Sequence, residues 1–236
     1  MTFHSVHAAQ DIARLAMERT AARLRPGLSE AQIVQMVLGE MEALGSEGWW
    51  YHGVGALVLV GPGRSLASIS GRDYRPLADA VLEENDLVTL DLGPMLNGAW
   101  GDYARTVFLE GGRPVLEPQE PSLPAFRQGY QMELRLHKEL MDWARPHHTY
   151  EEVWQHMNGL LAAEGWQNRD FHGNLGHSIE KLAGERIYLE NGNAATLGGY
   201  GKPFTFEPHI CLPGGEWGFK REQIYAFGPD DRLFAL

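Results

Sequence analysis

The sequence predicts an α+β fold in which a curved antiparallel sheet carries helices on its outer face. Three observations support this prediction. Helix-like and strand-like segments follow the same order in each half of the chain, namely helix, helix and strands. Each half contains one pair of acidic residues in a segment typical of strand, turn and strand. Two irregular segments, 61–86 and 181–202, are rich in turn-forming residues and suit the rim of a cleft.

The first half begins with two predicted helices. Residues 5–24 place apolar side chains at helical spacing. Ser29 is expected to open a second helix, because it forms a capping-box pattern with Gln32, and that helix should end near Leu44. Strand-like stretches follow at 56–61, 87–93 and 103–109.

The second half repeats this order. A helix is expected over about 123–144, and another opens at Thr149, with Glu152 as its capping-box partner, and ends near Gly165. Strand-like stretches follow at 204–212, at 223–227 and in the DRLFAL segment.

The two halves, about 5–112 and 120–236, therefore resemble an architectural duplication within a single domain over 1–236. If they pack around a pseudo-twofold axis, each half contributes one acidic hairpin to the concave face of a shared sheet. A site between the halves is the consequence.

Composition excludes several classes of protein. The chain has 236 residues, a formal net charge of −11 and one cysteine, Cys211. Scattered Lys and Arg in an acidic chain argue against a nucleic-acid partner. A lone cysteine excludes an internal disulfide and a cysteine-based zinc site. No apolar run approaches the roughly 20 residues that span a bilayer, and the first residues lack signal-peptide features, so we expect no membrane partner and a cytoplasmic location.

The acidic pair of the first half lies in a predicted hairpin. Asp91 in LVTLDLGP and Asp102 in WGDYARTVFL are 11 residues apart. The Asn97-Gly98 dipeptide between them is a strong signal for a two-residue turn. If that turn closes an antiparallel pair, both carboxylates project from one face, directly opposed or one diagonal step apart.

The second acidic pair has the same arrangement. Glu207 and Glu222 are 15 residues apart, with Gly214-Gly215 at the midpoint. Like charges this close destabilise a sheet unless a cation neutralises them. Any one of these acids, or the lone His177, is more often an ordinary surface or structural residue, so the prediction rests on the set. Four carboxylates and one imidazole suit a pair of divalent cations that activate water for hydrolysis.

Four motifs resemble those of the pita-bread metallopeptidases, which comprise methionine aminopeptidase, proline aminopeptidase, prolidase and the non-peptidase creatinase. They are DLG-x7-GDYARTV, GH at 176–177, FTFEP at 204–208 and RE at 221–222. The resemblance covers 5–236 and implies the pita-bread fold, with a short peptide or a protein N-terminus as substrate.

The resemblance also implies a role for each of the five residues. Asp91 would bind one ion and His177 the other, while Asp102 and Glu222 would bridge them. Glu207 would bind the second ion and act as general base. The cofactors implied are two divalent metal ions, foremost Mn²⁺ or Co²⁺, with Zn²⁺ or Fe²⁺ as alternatives.

TFEPHI and the histidine in FHGNLGH resemble the proline-directed branch, so the expected activity is of the Xaa-Pro aminopeptidase or dipeptidase type. Methionine aminopeptidase activity is one alternative, because the chain starts almost directly with the catalytic domain. A non-catalytic peptide-binding module on the same fold is another. Creatinase-like cleavage is disfavoured by the complete ligand set. Proline-directed relatives are often dimers, so a homodimer is possible.

Two positions depart from the family pattern. Ser68 and Gly184 stand where substrate-contacting histidines are usual. His209, on the same strand face as Glu207, is a candidate oxyanion donor or carboxylate ligand, with a packing role as an equal alternative. His172 is a second catalytic candidate, at the cleft mouth. Trp50 and Tyr51 are candidates for the wall of a small apolar pocket.

Overall fold

Each half of the chain opens with two helices that are followed by antiparallel strands. The computed structural model describes residues 3–236. Both predicted capping boxes are present, at Ser29 and at Thr149. None of the described helices is long and apolar enough to cross a membrane. The helices are α1 (Phe3–Ala21), α2 (Glu30–Ala43), α3 (Pro124–Trp143), α4 (Tyr150–Ala163) and the short α5 (Leu197–Tyr200).

The strands within residues 3–236 pair in antiparallel fashion throughout. They are β1 (Gly48–Trp49), β2 (Ala56–Val60), β3 (Asp86–Leu92), β4 (Pro94–Leu96), β5 (Ala99–Trp100), β6 (Tyr103–Glu110), β7 (Arg113–Val115), β8 (Gln167–Asn168), β9 (Phe204–Phe206), β10 (His209–Cys211), β11 (Phe219–Lys220), β12 (Gln223–Phe227) and β13 (Leu233–Ala235).

In place of the one predicted sheet, the described strands form four smaller sheets. Their strand orders are β2-β3-β6-β7, β1-β4-β5, β11-β10-β8 and β13-β12-β9. A backbone hydrogen bond from Glu222 N–H to the Ala104 carbonyl, 2.9 Å long, connects strands of the two halves. The mixed helices and antiparallel strands confirm the α+β class.

The strand expected over 204–212 is interrupted at Glu207 and Pro208, which separate β9 from β10. Proline has no backbone N–H to donate to a ladder, which accounts for the break. The register nevertheless continues across it, because Phe206 pairs with Gln223 and His209 with Lys220. By this register Glu207 lies opposite Glu222, one of the two arrangements that the hairpin prediction allowed.

Alternation along β3 separates the core from a cavity. Val88, Leu90 and Leu92 are buried in the cluster formed with α1 and α2, whereas Thr89 and Asp91 line a cavity on the other face. Successive side chains of a strand point to opposite faces, so a strand covered by helices on one side presents every second residue to the site. A separate cluster packs α3 and α4 against strands of the second half.

A buried acid between the helices and the sheet makes stability depend on pH. Glu133 on α3 is 1% exposed and hydrogen-bonds to Thr106 at 3.0 Å. Burial raises the pKa of Glu133 to about 8, although Thr106 and Arg105 act in the opposite direction. The folded protein therefore holds a proton that the unfolded chain releases near pH 4.5. The stability of the fold falls as pH rises from about 4.5 to about 8.

We expect Glu133→Gln to remove this dependence. Between pH 7 and pH 9 the wild type should lose about 1 kcal/mol more unfolding free energy than the variant. Urea unfolding across this range measures the difference, with Glu42→Gln on an exposed position of α2 as the control. Parallel profiles for the wild type and Glu133→Gln would contradict the prediction.

Candidate metal centre

The five predicted ligands lie at the ends of strands or in a loop beside them. Asp91 is on β3, Asp102 directly precedes β6, Glu207 directly follows β9 and Glu222 directly precedes β12. His177 lies in the loop between β8 and α5. All except Glu222 line a cavity of about 370 Å³.

The first acidic pair adopts the diagonal form of the predicted hairpin. Asp91 pairs with Ala104, which places Asp102 one diagonal step away on the same face. Asn97 and Gly98 form the turn between β4 and β5, with φ of 52° and 71°. A type I′ turn requires positive φ at both central residues, so the Asn-Gly signal is confirmed.

Three of the five residues form a compact group. One ligand atom from each of Asp102, His177 and Glu222 lies within 4.8 Å of the others, and all three residues are buried. Both carboxylate oxygens of Glu222, together with Asp102 Oδ2, have no hydrogen-bond partner. Buried acceptors without partners are costly, and a cation satisfies them. The group fits a divalent ion with mixed oxygen and nitrogen ligands.

The backbone orients His177 for this role. Its Nδ1–H donates to the Ser178 carbonyl at 3.1 Å, which turns Nε2 toward the carboxylates. Nε2 lies 3.3 Å from Asp102 Oδ2 and 3.8 Å from Glu207 Oε1. A ring nitrogen beside two carboxylates, with the other nitrogen held by a backbone hydrogen bond, is the arrangement of a metal-binding imidazole.

Gly176 allows the His177 loop to reach the strand. Its φ is +145°, and a Cβ there would lie 2.1 Å from the Thr205 carbonyl oxygen. The resulting close approach lets Thr205 N–H donate to the His177 carbonyl at 2.7 Å. His177 N–H in turn donates to Thr205 Oγ1 at 3.0 Å. The loop position of the imidazole is therefore set by β9.

A lysine that the sequence argument missed joins the acids. Lys220 Nζ lies 2.7 Å from Asp91 Oδ2 and 3.0 Å from Glu207 Oε2. The available signal was strand alternation, because Lys220 lies two residues before Glu222 and thus on the same face. Burial acts to lower the pKa of Lys220, but the charges of Asp91, Glu207 and Glu222 raise it well above its usual value. The side chain is an ammonium ion.

The acids differ in their ionisation. Burial raises the pKa of Glu222 well above its usual range, and Asp102 and Glu207 add to the effect. Burial also raises the pKa of Asp102 to about 6. Burial acts in the same direction on Glu207, but Lys220 and His177 outweigh it and lower its pKa. Glu207 is therefore an ionised carboxylate at neutral pH.

Aromatic residues form the wall of the cavity. Trp50 and Tyr51 line it, as the sequence suggested, together with Tyr188. The Arg186 guanidinium carbon, which the sequence argument also missed, lies 4.8 Å from the Trp50 ring centre and 5.4 Å from that of Tyr188. The cavity is thus lined by acidic side chains and by aromatic rings, and the Arg186 guanidinium group lies over two of those rings.

The candidate helper residues occupy different environments. His209 is buried and donates from Nε2 to the Ser65 carbonyl at 2.7 Å, and burial lowers its pKa to about 4, so it is neutral. His172 is exposed and lines the cavity. Ser68 also lines it and donates to Asp170 Oδ1 at 3.3 Å. Gly184 lies in the turn Ala183–Glu185. The catalytic assignments of His209 and His172 stay predictions.

Comparison with known proteins identifies the family. The sequence profile of metallopeptidase family M24 matches residues 4–227. The chain belongs to metallopeptidase family M24. This confirms the resemblance seen in the sequence and the pita-bread fold that it implied.

Individual M24 relatives are distant. The putative dipeptidase YkvY of Bacillus subtilis is 24% identical over 205 residues, covering 87% of this chain and 51% of the relative. The X-Pro aminopeptidase structure from Thermotoga maritima has a TM-score of 0.78 at 19% identity, covering 98% of this chain and 59% of that chain. The methionine aminopeptidase structure from Thermotoga maritima has a TM-score of 0.75 at 15% identity, covering 100% of this chain and 97% of that chain. The chain spans about half the length of the curated M24 relatives it matches.

Proposed function

We propose that this M24 chain is a metal-dependent peptidase that cleaves near the N-terminus of a peptide, with Xaa-Pro aminopeptidase or dipeptidase specificity. The observation that carries the proposal is the buried group of Asp102, His177 and Glu222, whose carboxylate oxygens without hydrogen-bond partners adjoin an aromatic-walled cavity. The printed names of the relatives, a dipeptidase and an X-Pro aminopeptidase, agree with this class of substrate.

In this proposal Asp102, His177 and Glu222 hold a divalent ion, with Glu207 beside them. Such an ion polarises a carbonyl group and lowers the pKa of water. Glu222 and Asp102 supply the negative charge that the ion requires, and His177 offers Nε2 because its Nδ1 is engaged by Ser178. The sequence predicts a second ion at Asp91, whose Oδ2 is paired with Lys220 in the structure.

Glu207 serves as the general base. It is an ionised carboxylate that lines the cavity, so it accepts a proton from the attacking water. It then passes that proton to the leaving nitrogen as the C–N bond breaks, which yields a carboxylic acid and an amine. Lys220 keeps Glu207 charged and holds its other oxygen.

The pocket suits a small apolar first or second residue. Trp50, Tyr51 and Tyr188 offer ring surfaces against which a proline ring packs. His209 lines the same cavity and keeps only Nδ1 for a substrate, since Nε2–H is held by Ser65. Neutral His209 therefore has no N–H left to donate to an oxyanion, and its Nδ1 can only accept a hydrogen bond, from a substrate N–H. We propose that the exposed His172 contacts the substrate in place of the histidines absent at Ser68 and Gly184.

A peptide-library assay tests the function. We expect hydrolysis of Xaa-Pro peptides in Mn²⁺ or Co²⁺, abolished by chelation and restored by adding the metal back. Preferential release of methionine from Met-Xaa peptides would favour the methionine aminopeptidase alternative. Bound metal without hydrolysis of any peptide would exclude the peptidase and favour a peptide-binding module on the same fold.

A further inference from the structure

The acidic cluster contains its own cation. Asp102 and Glu222 adjoin His177, whereas Asp91 contacts Lys220. Glu207 lies between them, with Oε2 3.0 Å from Lys220 Nζ and Oε1 3.8 Å from His177 Nε2. We propose that the Lys220 ammonium takes the place of one of the two divalent ions, so that the centre binds a single ion. This inference rests on the proposed metal site and changes its composition.

The distances around Lys220 are those of formed ion pairs. Nζ lies 2.7 Å from Asp91 Oδ2 and 3.0 Å from Glu207 Oε2, as in charge-assisted hydrogen bonds. The side chains of Lys220 and Asp91 are only 15% and 17% exposed, so water screens the pair weakly. A divalent ion on Asp91 would have to compete with an ammonium group that is already in contact.

The positions of the ligand atoms agree with one ion. Ligands of a small divalent ion at about 2.0–2.2 Å lie within about 4.4 Å of one another. Within residues 3–236, Asp102, His177 and Glu222 form a group of three ligand atoms that lie within 4.8 Å of one another. Asp91 does not join that group. Its carboxylate is directed to Lys220 instead.

The backbone keeps Lys220 in this position. The residue lies on β11 opposite His209, and its N–H donates to Thr106 Oγ1 at 2.8 Å. Its carbonyl accepts a hydrogen bond from the same hydroxyl at 3.2 Å. This strand position directs the Lys220 side chain to the face that carries Glu222. Moving the ammonium group away would leave Asp91 and Glu207 without the cation that they share.

Metal content tests the inference without an activity measurement. The wild type, Lys220→Met and Lys220→Arg are each saturated with Mn²⁺, freed of unbound ion by gel filtration, and analysed for manganese per chain. Lys138→Met is the matched control, because it removes a lysine whose side chain is 76% exposed on α3. We expect one ion in the wild type, Lys220→Arg and Lys138→Met, and two in Lys220→Met.

The electron paramagnetic resonance spectrum supplies a second readout. The wild type should show isolated Mn²⁺, whereas Lys220→Met should show the exchange coupling of two neighbouring ions. Two coupled ions in the wild type would overturn the inference, and that measurement does not depend on the folding of any variant.

A single ion in folded Lys220→Met, with cooperative unfolding as the check, would equally overturn it, because Lys220 would then not be what excludes the second ion. Absence of bound metal from every protein would instead contradict the proposed metal centre, and the inference with it.

Discussion

Replacing Glu207 by glutamine is expected to reduce peptide hydrolysis by about 10²–10⁴-fold, the range of a lost general base. Glutamine keeps the size of the side chain but cannot accept the proton of the attacking water. Glu207 is suited to this role because Lys220 and His177 keep it ionised despite its burial. The rate is measured on whichever peptide the library assay selects, at saturating metal.

Two measurements make this result specific. Metal content determined on the same sample separates loss of the base from loss of the ion, because Glu207 Oε1 also lies 3.8 Å from His177 Nε2. Glu84→Gln, at an exposed position outside the cavity, should retain the wild-type rate. If Glu207→Gln stayed within about tenfold of the wild type, another group would have to be the base.

Replacing Glu222 by glutamine is expected to have opposite effects on stability with and without metal. Both Glu222 oxygens are buried without a hydrogen-bond partner, and burial raises its pKa well above the ordinary value. Burial thus disfavours the charged form of this acid in the metal-free protein, a cost that the unfolded chain does not have. Glutamine removes that cost, so the metal-free variant should be more stable by about 1–3 kcal/mol.

The melting temperature shows directly whether Glu222→Gln stabilises or destabilises the protein. For a chain of this length each kcal/mol corresponds to about 2–4 °C in Tm, so Glu222→Gln in EDTA should melt several degrees above the wild type. Added Mn²⁺ at about 100 times its Kd should stabilise the wild type by about 2.7 kcal/mol, whereas the variant should respond little. Glu42→Gln should behave as the wild type in both conditions.

A lower Tm for Glu222→Gln in EDTA would mean that the side chain stabilises the fold by itself. An unchanged response of this variant to Mn²⁺ would mean that Glu222 is not a ligand. Either result would contradict the composition of the centre proposed here.

Local signals in the sequence accounted for much of the framework. The capping boxes at Ser29 and Thr149 depend on contacts three residues apart, and the Asn97-Gly98 turn depends on the positive φ of two neighbours. The antiparallel register that continues from one strand pair to the next explains why Glu207 and Glu222 face each other. The short strands β1, β4, β5, β7, β8 and β11 were missed, because two or three residues carry no periodicity and pair only in the folded chain.

The sequence by itself determined which carboxylates and which imidazole could meet, because strand register and hairpin turns are set over short distances along the chain. Only the tertiary structure decided which atoms do meet. Lys220 and Asp91 are 129 positions apart and belong to different sheets, so no local pattern relates them. Arg186 reaches the aromatic wall from a loop of the other half. Which carboxylates are paired with a lysine and which remain open to an ion is therefore a property of the packing between the halves.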